Sequence, residues 1–221
     1  MAVSKYKLGT AKDGPADAKK ISHFTDQIAA LPILRGMRLH RIFFYDSKPL
    51  ECSETKPLGG GKIDFGATPT AARNKSLHAT LSRQPFFALR FGELYFEGWR
   101  LKKKFLRKNS PIEIDADALE PEIRQKGVDM RIGLDIASLT LKKHVQVIVL
   151  VTADSDFVPA MKFARREGAQ LILLTLGHGV RDGLKEHADI VIDTFPLPDP
   201  GGSDCSTGSQ VSPLIRAEMP S

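Results

Sequence analysis

Cysteine is scarce in this chain of 221 residues, which contains only Cys52 and Cys205. The two lie far apart and neither belongs to a CxxC pair, so the sequence supports neither a disulfide framework nor a cysteine-based zinc site. So few cysteines suit the reducing cytoplasm, which is the predicted location. No apolar run reaches the roughly 18 residues that a membrane-spanning helix requires. The first 20 residues also lack the apolar stretch of a signal peptide, so we predict no membrane association.

What the chain does contain is enough apolar material for one folded domain. Apolar residues make up 42% of the sequence and charged residues 26%, which is ordinary for a globular protein. We predict a flexible arm over residues 1–20, a domain over 21–195 and a disordered, Pro/Gly/Ser-rich tail over 196–221. The net charge of +6 and the pI of about 9.3 favour a polyanionic partner only weakly, because many basic proteins bind no nucleic acid.

The first half of the domain shows an irregular pattern. We predict a helix over 21–34, an apolar strand over 40–46, a long loop over 47–68 with three consecutive glycines, and a helix capped by Thr68 or Thr70. The alternation around Gly92 indicates a β-hairpin over 86–99. The basic run at 100–108 has two interpretations, a patch that contacts phosphate or a solvated strand or turn.

The second half alternates strands and helices regularly. A helix at 129–142 precedes the apolar, β-branched strand 145–151, and a helix closed by Gly168 leads to the apolar strand 169–175. A short helix at 180–187 and a strand at 188–195 follow. Strands this apolar are typical of a parallel sheet buried on both faces. The predicted fold class is therefore α/β, with helices covering both faces of a mostly parallel sheet.

Aspartates cluster where these strands end. Asp154 and Asp156 directly follow the strand 145–151, at the sheet edge where parallel α/β proteins bind ligands. One of them could serve as a helix cap, but capping explains two acids less well. Asp129 begins the preceding helix. Asp135 lies six residues further on, about 240° round the helix axis, and is predicted to pair with Arg131 or to act as a further ligand.

Carboxylate oxygens of this kind suit Mg²⁺ or Mn²⁺, which are the predicted cofactors. An ion held there activates water and offsets charge on a phosphodiester. Histidines do not cluster, and each is predicted at the surface or at a helix end: His78, His144, His178 and His187.

Several of these segments together resemble the NYN domain, a family of PIN-like nucleases. The resemblance rests on Lys126-Gly127-Val128-Asp129, on the segment 152–159 that reads TADSDFVP, and on Arg165-Arg166-Glu167-Gly168. It covers roughly residues 40–195. It implies a three-layer α/β/α fold and metal-dependent cleavage of RNA, with Asp129, Asp154 and Asp156 as catalytic metal ligands and Asp135 as a further ligand. In the same motifs, substrate contacts are predicted at Lys126, Thr152, Ser155 and Arg131.

The chain departs from this family in one respect. Family members usually begin with an apolar strand that ends in an aspartate and lies centrally in the sheet, and nothing like it precedes residue 40. Three functions therefore stay open. They are a metal-dependent ribonuclease, a non-catalytic RNA-binding or regulatory module on the same fold, and a phosphatase or nucleotide-binding domain that uses the same acids. RNA is the predicted partner in the first two, and the sequence leaves open a homo-oligomer.

Overall fold

The computed structural model describes residues 16–106 and 114–193, in which helices and strands are interspersed along the chain. The helices are α1 (Ala18–Ala29), α2 (Pro69–Leu81), α3 (Lys103–Leu106), α4 (Val128–Leu141), α5 (Val158–Arg166) and α6 (Asp182–Lys185). The strands are β1 (Ile42–Ser47), β2 (Ser53–Thr55), β3 (Lys62–Asp64), β4 (Phe87–Leu101), β5 (Leu119–Lys126), β6 (Val147–Val151), β7 (Gln170–Leu174) and β8 (Ile190–Ile192).

The strands form two three-stranded sheets and one small ladder. One sheet has the order β1-β4-β5, the other the order β6-β7-β8, and β2 pairs with β3. The pairs β1–β4, β6–β7 and β7–β8 are parallel, whereas β4–β5 and β2–β3 are antiparallel. The parallel pairs follow from the chain order, since a helix lies between β1 and β4 and between β6 and β7.

The two sheets share their cores. Phe43 of β1 and Leu150 of β6 lie in one buried cluster with residues of α4 and α5. Phe44 of β1 and Val151 of β6 lie in a second cluster with residues of α1 and α2. Because neighbouring residues of a strand point to opposite faces, the sheets lie side by side between two layers of helices. The predicted mixed α/β fold with a mostly parallel sheet and flanking helices is confirmed.

The predicted hairpin around Gly92 is wrong, because β4 runs straight through it. Its first part, Phe87–Gly92, pairs with β1, and the part from Glu93 onward pairs with β5. Gly92 is needed for close approach rather than for a turn. A Cβ atom there would lie 2.5 Å from the Lys126 carbonyl oxygen and 2.6 Å from Val128 Cγ2. The small antiparallel ladder, β2–β3, instead lies within the segment predicted as a loop, 47–68.

Two further boundaries differ from the predictions. The helix predicted over 21–34 ends at Ala29, and a separate 3₁₀ turn, Pro32–Leu34, begins with a proline that cannot continue a helix. β5 was not predicted, since it is polar and contains Pro121. β5 pairs with β4 on one side and has no second neighbour among the described residues. Such an edge strand tolerates both the polar side chains and the proline.

The predicted arm and tail lie almost wholly outside the described residues, and α1 begins at Ala18, inside the predicted arm. Within the described residues, no helix has the length and apolar character needed to cross a membrane.

Candidate functional site

Asp154 and Asp156 lie in the turn that follows β6. Asp154 is the N-cap of the 3₁₀ turn Ser155–Phe157, and its Oδ1 accepts a hydrogen bond from the Asp156 backbone N–H at 3.0 Å. The Asp154 backbone N–H donates to Thr152 Oγ1 at 3.1 Å. Phe157 is buried in the core and anchors the turn. The two aspartate side chains are therefore exposed on a turn that is held from both ends.

Asp129 reaches the same region from a different part of the chain. β5 ends at Lys126, and Gly127 adopts φ 80° and ψ −1° as the N-cap of α4. This left-handed conformation strains residues with a side chain, so glycine suits the sharp change from strand to helix. Asp129 then lies in the first turn of α4, and α4 packs against the Ser155–Phe157 turn.

The three carboxylates lie close enough for their charges to interact. Partial burial raises the pKa of Asp129 above its usual range, and the negative charges of Asp154 and then Asp156 raise it further. A carboxylate in the first turn of a helix is normally stabilised by the helix dipole. Here burial and the two neighbouring charges together outweigh that effect, and the charges of Asp154 and Asp156 make the site locally negative, which favours a cation or a proton.

Asp135 makes different contacts. Its Oδ2 accepts hydrogen bonds from the Tyr45 hydroxyl and from Arg90 Nε, each at 2.9 Å. Burial, and then the charge of Asp135, raises the pKa of Tyr45. Among the described residues Asp135 therefore forms its ion pair with Arg90 of β4 and not with Arg131. The contacts that the structure shows for Asp135 connect α4 to β1 and β4.

The predicted substrate residues are dispersed around the acids. Lys126 Nζ lies 3.7 Å from Glu97 Oε1 and 4.8 Å from the centre of the Tyr95 ring, on the β4–β5 ribbon. Thr152 is buried and orients the turn, as described above. Ser155 lies in that turn. Arg131 follows Asp129 by two residues, which places it about 200° round α4. None of these substrate contacts is tested by the structure.

The basic run that starts at the end of β4 is partly paired with other residues. Arg100 Nε lies 2.9 Å from Glu120 Oε1, and Lys102 Nζ donates to the Asp117 carbonyl oxygen at 2.5 Å. Lys103 and Lys104 are exposed. The remainder of the run, residues 107–108, lies outside the described residues. These contacts favour the interpretation of a solvated strand or turn for Arg100 and Lys102.

The part of the chain that carries these acids matches a known protein family. Residues 89–196 match the family described as the NYN domain. This chain contains a NYN domain. An uncharacterized protein of Methanocaldococcus jannaschii is 33% identical over 73 residues, which are 33% of this chain and 30% of the archaeal protein. The match thus covers under a third of that relative. No solved structure matches the chain significantly.

The NYN match includes Asp129, Asp154 and Asp156, but their present arrangement does not form a closed metal cage. In residues 16–106 and 114–193, no group of three or more His, Cys, Asp or Glu side chains is arranged to hold a metal ion. The donor type still fits a hard cation. Mg²⁺ commonly uses one or two carboxylates and completes its shell with water and substrate phosphates.

A buried pair next to the NYN match was missed by sequence reasoning. His78 Nε2 lies 2.9 Å from Asp46 Oδ2, and both residues are buried. Asp46 also accepts from the Ser47 backbone N–H at 2.8 Å. His78 lies in the last turn of α2, as the helix-end alternative predicted, but its side chain is buried rather than at the surface, because α2 turns it toward the end of β1. The only sequence signal was Asp46 itself, an acid that directly follows an apolar strand.

Proposed function

We propose that this chain is a metal-dependent ribonuclease whose Asp129, Asp154 and Asp156 hold Mg²⁺ or Mn²⁺ against an RNA phosphate. NYN nuclease domains act on RNA, which makes RNA the proposed substrate. The observation that carries the proposal is that the first turn of α4, with Asp129, packs beside the turn that carries Asp154 and Asp156. Burial, and then the charges of Asp154 and Asp156, raise the pKa of Asp129. Carboxylates from two chain segments thus share one negative field at the end of a parallel strand, where α/β folds bind ligands.

The residues present fit such an ion in donor type and in charge, although they supply an open site. When bound, the ion activates water and offsets charge on the phosphodiester. The chain's own part is to position the acids. Thr152 holds the Asp154 backbone through its hydroxyl group, and Asp154 uses one oxygen to cap the turn, which leaves the other available. In the overall hydrolysis, water adds to phosphorus and the bond to one ribose oxygen breaks.

The test is cleavage of a labelled single-stranded RNA by the purified chain with Mg²⁺ or Mn²⁺. We expect Asp154→Asn and Asp129→Asn to lower the rate by about 100-fold or more, since each removes charge at the site. Asp26→Asn is the matched control, because Asp26 is exposed on α1, far along the chain from the site. Cleavage that persists undiminished in Asp154→Asn would point to a contaminating nuclease.

A second function, a non-catalytic RNA-binding module, is favoured by the lack of a closed carboxylate cage in the described residues. It predicts RNA binding that weakens steeply with salt and no turnover with any divalent metal. Multiple turnover that Asp154→Asn abolishes would exclude it. Hydrolysis of phosphate monoesters in place of RNA would favour the phosphatase alternative.

A further inference from the structure

The two sheets meet along strand edges that no other described strand pairs with. β1 is bonded to β4 only, and β6 to β7 only. Alternate residues of a strand direct their backbone groups to opposite sides. Because Ile42 N donates to Phe86 O on the β4 side, the backbone groups of Phe43 and Tyr45 point away from β4. They face the gap between the two sheets.

The same alternation applies to β6. Thr152 N donates to Leu174 O, which lies on β7, so the backbone groups of Val149 and Val151 point away from β7. His40 precedes β1 and His144 precedes β6, and the centres of their rings lie 5.9 Å apart. The two strands therefore start at the same end of the gap and run in the same direction. The gap is thus bordered by two parallel edges with backbone donors and acceptors.

Apolar side chains enclose this gap above and below. Phe43 and Leu150 belong to the core cluster on one face, and Phe44 and Val151 to the cluster on the other. Unpaired backbone groups at such a buried place are unfavourable. A strand that filled the gap would pair with both edges and would need apolar side chains on both faces.

A cavity of about 500 Å³ opens into the gap at the starts of β1 and β6, and its wall includes Ile42, Val147 and Val149. Its mouth carries Arg38, Arg41 and Lys143. Among the described residues these three cations have no ion-pair partner. The segments 30–41 and 136–146, which surround the mouth, contain no aspartate or glutamate. The entrance is therefore strongly positive, at the opposite end of the strands from the three aspartates.

We propose that this gap accepts an extended segment of a partner polypeptide by parallel strand addition, with apolar central residues and acidic residues at its amino-terminal end. Strand addition provides backbone pairing and side-chain contacts together. The acidic end lies at the mouth formed by Arg38, Arg41 and Lys143. Residues 1–15 of this chain match the mouth poorly in charge, since they contain three lysines and one aspartate.

The test uses the full chain and a fluorescent peptide, Asp-Asp-Val-Ile-Val-Ile-Val, followed by anisotropy. We expect saturable binding, and a loss of about tenfold or more when alternate apolar residues are N-methylated, since the missing donors cannot pair. A peptide that begins with Lys-Lys instead of Asp-Asp is expected to bind as weakly as the N-methylated peptide. Arg41→Glu combined with Lys143→Glu should weaken binding of the acidic peptide similarly, whereas Lys162→Glu, on the surface of α5, should leave it unchanged.

Hydrogen exchange then locates the contact. Bound peptide should slow exchange at the backbone amides of 43–45 and 149–151 that face the gap. Absence of binding at millimolar concentration, or equal binding of the N-methylated peptide, would overturn the proposal. Amides that are already protected at these positions in the free chain would also overturn it, because the gap would then be filled by this chain or by a second copy.

Discussion

Replacing Gly92 with alanine tests how the two halves of β4 are joined to the candidate site. A methyl group at this position would lie 2.5 Å from the Lys126 carbonyl oxygen and 2.6 Å from Val128 Cγ2. Real Cβ atoms do not approach this closely, and one of the two contacts is with backbone. The β5–α4 junction must therefore move, and Asp129 lies immediately beyond it.

The expected cost is about 2 kcal/mol, within the range for overpacked interiors. For a chain of this size, that corresponds to a fall in Tm of roughly 4–8 °C. Gly133→Ala is the matched control, since Gly133 lies inside α4 and a methyl group there would meet nothing within 4 Å beyond the backbone of its own helix. There alanine should raise the free energy of unfolding by about 0.5–1 kcal/mol through its better helix propensity.

Urea denaturation of the two variants and the parent gives both values from the midpoints and slopes. If Gly92→Ala is as stable as the parent, the close approach of β4 to the β5–α4 junction is wrong. If Gly92→Ala and Gly133→Ala change stability by the same amount and in the same direction, Gly92 is no more crowded than Gly133 and the reasoning is refuted.

Three further predictions concern the polar contacts. Because the pKa of Asp129 is raised in the fold, the ionised side chain lowers the stability of the fold above that pKa. Asp129→Asn should therefore raise the free energy of unfolding at pH 7 without metal. The expected gain is about 0.5 kcal/mol after allowance for solvent screening. Calorimetry should show the gain vanishing near pH 3, where the carboxyl is protonated in both states, and a gain independent of pH would contradict the assignment. Tyr45→Phe removes the hydroxyl bonded to Asp135 and should cost about 1.5 kcal/mol in urea denaturation; a neutral effect would show that this bond contributes nothing. His78→Ala leaves Asp46 buried without this partner and should cost about 3 kcal/mol by the same measurement, whereas a loss below about 1 kcal/mol would mean that the pair is open to water.

The sequence predicted those parts of the fold that local pattern determines. The apolar run before Asp154 could be little other than a buried strand, and Thr68 does cap α2 through its hydroxyl, which accepts from the Ala71 backbone N–H at 3.2 Å. Asp154 and Asp156 lie directly after β6, at the carboxyl ends of the parallel strands, as the sequence predicted.

Contacts between distant segments could not be predicted in this way. Gly92 looks like a turn residue in the sequence, and only the approach of the β5–α4 junction explains it. Asp135 was expected to pair along its own helix with Arg131, but β4 delivers Arg90 to it. Likewise, no local signal marks His78 as buried. In each case the partner lies more than thirty residues away, where helical and strand periodicity carry no information.

Metal binding by Asp129, Asp154 and Asp156 is measured most directly by titrating the purified chain with Mn²⁺ in a calorimeter. We expect one saturable site in the parent, retained in Asp26→Asn and lost or weakened about tenfold or more in Asp129→Asn and in Asp154→Asn, because a missing charge lowers the affinity for a divalent ion. The stability of each variant, measured without metal, separates loss of the site from loss of the fold. A parent chain that takes up no Mn²⁺, or an Asp129→Asn variant that binds it as tightly as the parent, would contradict the shared site.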